Sequence, residues 1–540
     1  MRIAALVLAV GACGAPDRDP RWKAAGATTP HRGGTLHLAT KDQIRSLDPT
    51  IAYDEVSTYA TQPLFATLVT YAPDSTRLVP DLADRWQLDP DGVTYRFYLR
   101  DKLAYADGTP IVAGDFKYSL ERALHTADSP FGPFLVDVIG ASAVLEGKAT
   151  DCAGIVAVSE RELQIRLIRP SPSFVFILTM KFAAPQRAEW VAQWGDQLRR
   201  HPLASGPFMR GDWDEGTKIT LVPNPHYWDP SLPYLDRLEL LENVPRDTQF
   251  LMFERGELDS AERLSAPDYV WILDQPAWRP YLHQTALMQV FGARMNVTRK
   301  PFDDRRVRQA LNYALDKQHT VKLLNTAAVA SHGMLPPGML GRDDTLQPYP
   351  HDPAKARRLL AEAGVAPGTE LTYVTQNDEQ GEALAASLKG DLEDVGLVVN
   401  VQLVSFATLS TISGSVDGPD FSLTSWIGDY PDPTNFLDVR FHSRAIADAN
   451  ATNDTRYANP ELDALLDAAR GELDPAVRAG MYKRAERILY DDAPWIYDYH
   501  PVTTEVTQPY VKGFELHPIW VRDYTHAWLD LDAHGERVPR

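Results

Sequence analysis

Polar and apolar positions alternate every second residue at several points in the first half of the chain. Thr94-Tyr95-Arg96-Phe97-Tyr98-Leu99 alternates strictly, and a turn at Asp89-Pro90-Asp91-Gly92 separates it from residues 86–88. This predicts a hairpin with one buried face. A second turn at Asp107-Gly108-Thr109-Pro110 leads to Asp115, placed to cap a helix over 116–124. Alternation returns over 155–168 and predicts a second hairpin, with turn residues at 224–229, strand at 238–241 and a short helix over 248–254. Gly33-Gly34 precedes a first strand at 35–39. As far as residue 290 the pattern is mixed α and β.

After Met295-Asn296 the spacing becomes that of helices alternating with strands. Val307, Ala310, Leu311, Ala314 and Leu315 fall on one face behind a cap at Asp303 or Asp304, which turns Arg305, Arg306 and Arg308 outward. Asp352-Pro353 starts a helix that Gly364 stops. Strand over 371–375, helix to Gly396 and strand over 397–403 make a unit that requires a parallel sheet. Next comes Asp420 to Asn435, DFSLTSWIGDYPDPTN, a two-faced strand broken by Pro431 and Pro433. It leaves Trp426 and Asp429 at a strand edge beside a loop. Such an edge suits the backbone of an extended ligand, with the carboxylate receiving a positive end group. A cap for the turn at Asp429 and a core position for Trp426 fit the spacing equally. Helices follow at Asn459-Pro460 and from Asp474-Pro475 to Tyr490, then a strand at 495–499. The last 40 residues hold no helical stripe and return to the first lobe, so two crossings put a cleft between two lobes.

The formal charge of −19, from 54 basic and 73 acidic residues, with no basic run, speaks against nucleic acid as a partner. Beyond the N-terminus no apolar run approaches the roughly 18 residues that span a bilayer. Arg2, the apolar stretch Ile3 to Ala12 and Val10-Gly11-Ala12-Cys13 read as a signal peptide over 1–12 whose end resembles a bacterial lipobox. Cys13 is the residue that would carry the lipid, with 13–33 as a tether. The other cysteine, Cys152, has no partner for a disulfide and reads as a small buried hydrophobe.

No HExxH, GxSxG, Walker A, GxGxxG or paired CxxC is present, and the 14 histidines form no i, i+4 pair on a helix. The reading is a binding protein without cofactor or metal, not an enzyme; a hydrolase with a cleft carboxylate pair, which leaves no local motif, is the rival class.

Six blocks in order, GGTLHLAT, LVPDLADRWQLDPDGVTYRFYLRDKLAYADGTP, NPHYW, NVTRKPFDDRRVRQALNYALDK, YPHDPAKARRLLAEAG and WIGDYPDP, resemble the family 5 extracellular solute-binding proteins of ABC importers. The resemblance implies an α/β, two-lobed periplasmic-binding-protein-like fold of class II, with an extra subdomain in the first lobe. The first lobe would cover 34–288 plus 501–540, with the subdomain at about 76–200, and the second 289–500. It implies a monomer that captures oligopeptides or dipeptides between the lobes and delivers them to permease subunits in the inner membrane, from the periplasm or cell surface. Family members also bind glycosides, opines and nickel complexes. By resemblance, Asp429 pairs with the peptide's ammonium group and backbone at Ser425, Trp426 and Ile427 pairs with it as an added strand. Gly428 replaces the usual Ala, a change of little expected effect. Phe406 stands where some peptide binders have Trp. Phe131, Phe134, Tyr497 and Tyr499 fall where relatives place aromatic pocket walls, and core packing fits these four as well.

Overall fold

A computed structural model describes residues 19–73, 75–324 and 327–540. Cys13 and the apolar leader lie outside the described residues.

The alternating segments of the first half pair as their patterns require. Ala83–Leu88, Thr94–Leu99, Glu162–Arg166 and Ile155–Ser159 form a four-stranded antiparallel sheet in that spatial order. Tyr95, Phe97, Leu163 and Ile165 bury one face of it against Phe116 and Leu120 of the Ala113–His125 helix, and Cys152 lies in the same core. Asp115 closes the first turn of that helix from inside rather than before it. Its carboxylate accepts the Val112 N–H at 3.0 Å, from the third helical position.

A second four-stranded sheet joins Thr35–Ala39, Arg237–Leu241, Lys218–Pro223 and Phe208–Asp214. Leu36, Leu38, Ile219 and Leu238 share its core with Tyr510, Val511 and Leu529 from the far end of the chain. The stretch expected as a free tether is docked from Trp22 on. Trp22–Lys23 pairs with Val538–Pro539, and the Ala25 N–H donates to the Asp530 carbonyl at 3.1 Å. The partner of this segment is more than 500 residues away in sequence, so local composition gives no sign of it.

In the second half, Glu370–Gln376 and Val398–Val404 run parallel, joined by the Glu379–Asp394 helix. Asp304 and Asp352 cap their helices through side chains that accept from Arg306 and Lys355 N–H groups. Arg305 and Arg306 are exposed, whereas Arg308 is buried. Its guanidinium donates to the carbonyls of Asp492 (2.9 Å) and Phe302 (2.8 Å), chain that helical spacing cannot anticipate.

The lobes share one long strand, Trp495–Thr507. Its first part pairs with Gln289–Met295 and its last part with Leu282–Ala286 and Ser260–Glu262. The molecule is therefore a two-lobed α/β protein joined through adjacent strands.

Candidate functional site

Phe421–Ile427 pairs antiparallel along its whole length with Gln289–Met295. On its other side it meets Glu370–Gln376 at Ser422 alone, opposite Val374. The neighbouring strand ends at Gln376 because Asp378 caps the helix that follows. Beyond Ser422 that side of the strand has no paired neighbour among the described residues. The Gly428 N–H donates to the Met288 carbonyl at 2.7 Å, continuing the ladder. Alternation then turns the main-chain groups of Trp426 toward the paired strand and those of Ser425 and Ile427 toward the unpaired side. Ile427 is 59% exposed.

Asp429 follows the strand end directly. Its N–H donates to Asn435 Oδ1 (2.8 Å), and its carboxylate accepts from Asn435 Nδ2 (3.0 Å) and from the Tyr53 hydroxyl. All the donors are neutral, and among the described residues no cation pairs with it. Burial pushes its carboxyl above the ordinary range, against the hydrogen bonds from Tyr53 and Asn435 that pull it down. The neighbouring acids differ. Asp432 receives both ends of the Arg478 guanidinium at 2.6 and 2.7 Å, and Asp438 accepts from Arg444 at 2.7 Å.

Asp429 lines a cavity of about 470 Å³ between the lobes, with Tyr53, Phe134 and Ile177 on one side and Trp426 and Arg470 on the other. Phe134 stands edge-on to Tyr430, 6.4 Å between centroids. Phe131 lies behind it, 3% exposed and stacked on Phe182 at 4.7 Å. A second cavity of about 840 Å³ is lined by Gln289 and Phe291, which stand opposite Ile427 and Ser425, and by Tyr499. The strand end thus has a cavity at each flank.

Tyr497 and Tyr499, expected together as a wall, are separated by an irregularity in the ladder. Phe291 pairs with Tyr499 and Gly292 with Tyr497, so Asp498 is an extra residue between them. Tyr499 stacks flat on Phe291 at 5.1 Å in the second cavity, while Tyr497 is wholly buried in the core with Trp495 and Met288. Phe406 opens the Phe406–Ser413 helix, is 67% exposed and lines neither cavity. Two residues that hold Asp429 carry no sequence signal of that role. Tyr53 sits in a loop 376 positions away, and Asn435 reads as the tail of a proline-rich turn.

The profile described as "Bacterial extracellular solute-binding proteins, family 5 Middle" matches residues 77–448. The chain is 28% identical over 530 residues to the "Di/tripeptide-binding protein 2" of Pseudomonas aeruginosa (strain UCBPP-PA14), covering 94% of this chain and 97% of that one. It is 28% identical to the "Heme-binding protein A" of Haemophilus influenzae (strain ATCC 51907 / DSM 11121 / KW20 / Rd), covering 96% of each. The solved structure titled "Clavulanic acid biosynthesis oligopeptide binding protein 2" superposes with a TM-score of 0.85 at 25% identity, over 95% of this chain and 99% of that one. The chain belongs to the family 5 bacterial extracellular solute-binding proteins.

Proposed function

We propose that this protein is the extracytoplasmic solute-binding component of an ABC importer, and that its solute is a short peptide. Asp429 carries the reading. A partly desolvated carboxylate held only by neutral donors, at the end of an unpaired strand edge, is stabilised by an incoming cation. A peptide supplies both an ammonium group for that carboxylate and an extended backbone for the edge at Ser425 and Ile427. Trp426, Phe134 and Tyr499 bound the two cavities that its side chains would enter. The reading does not use Phe131 and Tyr497, which are buried, or Phe406, which lines neither cavity.

Sequestration between the lobes and hand-over to permease subunits complete the role, with the protein acting as a monomer. We place the lobes at about 34–288 with 501–540 and at about 289–500, the first with an inserted subdomain near 76–200, because the pairing partners of the shared strand change there. Among the described residues no helix is long and apolar enough to cross a membrane. A lipid on Cys13 would anchor the protein at the membrane, and mass spectrometry of the mature N-terminus reads this directly.

Calorimetric titration with di- and tripeptides tests the central claim. Asp429→Asn is expected to weaken binding by about 1.5–3 kcal/mol with the fold intact by circular dichroism. N-acetylated peptides should lose as much on the unaltered protein. Equal affinity for free and acetylated peptides would remove the ammonium role.

A further inference from the structure

The sheet of the second lobe ends in a strand with one side unpaired. Val398–Val404 pairs with Glu370–Gln376 in unbroken register over its whole length and stands last in the sheet. The Val398 N–H donates inward to the Thr369 carbonyl at 2.9 Å, and the Val404 carbonyl accepts inward from the Asn377 N–H at 3.0 Å. Alternation therefore turns the main-chain groups of Val399, Val401 and Leu403 outward, where they have no partner among the described residues. Edges of this kind usually carry charge, proline or a bulge that keeps other chains from pairing. Two other outer strands follow that rule: Phe208–Asp214 carries Arg210, Asp212 and Asp214, and Ile155–Ser159 has a register shift between Ala157 and Ser159. Val398–Val404 has none of these devices. No charged residue occurs between Asp394 and Asp417, in a chain of which 24% is charged, and yet Val398, Val401, Leu403 and Phe406 are exposed.

We infer that this edge pairs with the same edge of a second copy, antiparallel, about a two-fold axis at Val401. The strand reads almost alike in both directions, Val-Val-Asn-Val-Gln-Leu-Val. With Val401 on the axis, Val398 meets Val404, Val399 meets Leu403 and Asn400 meets Gln402, so apolar faces apolar and amide faces amide at every position. The same axis uses every outward main-chain group: Val401 exchanges two hydrogen bonds with its copy, and Val399 does so with Leu403. Two chains of charge −19 repel on approach, and a charge-free edge is where they meet at least electrostatic cost. One strand edge is small beside a stable interface of roughly 1,600 Å², so the pair forms by mass action as concentration rises. No residue of the strand lines either cavity, and each chain of the pair still acts alone on its own ligand.

Sedimentation velocity of the full mature protein, without ligand and from micromolar to near-millimolar concentration, tests the pairing. The unaltered chain should shift from monomer to dimer across that range. Val401→Lys, at an exposed position, sets like charges against each other across the axis and should weaken the dimer about tenfold or more, and Val401→Glu should do the same. An equimolar mixture of the two variants should pair again, because opposite charges then face each other. Hydrogen exchange reads the same edge on the unaltered protein: the amides of Val399, Val401 and Leu403 should slow as dimer forms. A chain that stays monomeric throughout, a dimer that both substitutions leave intact, a mixture that stays apart, or edge amides that exchange alike in monomer and dimer overturns the inference.

Discussion

Three aspartates within ten positions, Asp429, Asp432 and Asp438, differ in fate because of their partners alone. Asp432 pairs with Arg478 through both oxygens and accepts from the Thr434 N–H and hydroxyl, which holds the loop in place. Asp438 is pushed up to about 7 by burial, against the pull of Arg444 and Arg470. Asp429 is raised by burial with no cation to offset it. The sign follows. A carboxyl raised on folding contributes stability below its ordinary value, and that contribution is lost as pH rises through the raised one. The ionised form of Asp429, with no cation beside it, is thus a cost in the empty protein, which a ligand ammonium relieves. Peptide affinity should fall as pH is lowered through the raised value, over a window that lies above the ordinary carboxylate range, and Asp429→Asn should flatten that dependence. Titration calorimetry across the window checks it; a flat profile for the unaltered protein would contradict the site. Asp429 itself was legible from the sequence because two prolines end its strand beside it. Its lack of a cation was not, since that depends on every side chain packed around it.

At the scale of elements, caps and turns followed the sequence closely. Asp304, Asp352, Asn459 and Asp474 all cap as their positions foretell, because the bonds concerned span two or three residues. Gly428 departs from expectation. A Cβ there would lie 2.6 and 2.7 Å from ring carbons of Phe436, which is fully buried and has no room to retreat. The glycine lets the strand end approach that ring and set the direction of Asp429. Gly428→Ala should cost about 1–3 kcal/mol in stability, seen as a lower melting temperature, and should weaken peptide binding because the next residue is displaced. An unchanged melting temperature and affinity would mean that the loop gives way freely. The extra residue at Asp498 had no such local signature. Period-two reasoning puts Tyr497 and Tyr499 on one face, and only the register against Phe291 and Gly292 separates them.

At the scale of the molecule, the lobes meet through charged contacts beside the cavity that Asp429 lines. Asp137, beside the core of the 83–166 sheet, accepts from Arg470 at 2.7 Å, on the helix Pro460–Gly471 of the other lobe. Arg169 supports it at 2.8 Å, and Asp438 stands 4.0 Å from the same Arg470. The pair closes one side of the cavity that Asp429 lines. Asp137→Asn should speed ligand release several-fold and enlarge the bound protein in small-angle scattering, while leaving association and folding nearly unchanged. Release rates from stopped-flow displacement that match the unaltered protein would remove the latch.

The sequence by itself determined the local elements, their caps and turns, the alternation of the two-faced strands and the position of an acid at the end of one of them. Each depends on residues within a few positions of one another, where sterics and hydrogen-bond geometry leave few choices. Only the tertiary structure decided that Asp429 faces a tyrosine 376 positions away instead of a cation, that Arg308 is buried, that the 22–27 segment is docked, and which aromatics reach the cleft. Those outcomes depend on which distant surfaces meet, and a solvated side chain and one awaiting a partner across a cleft have the same local pattern.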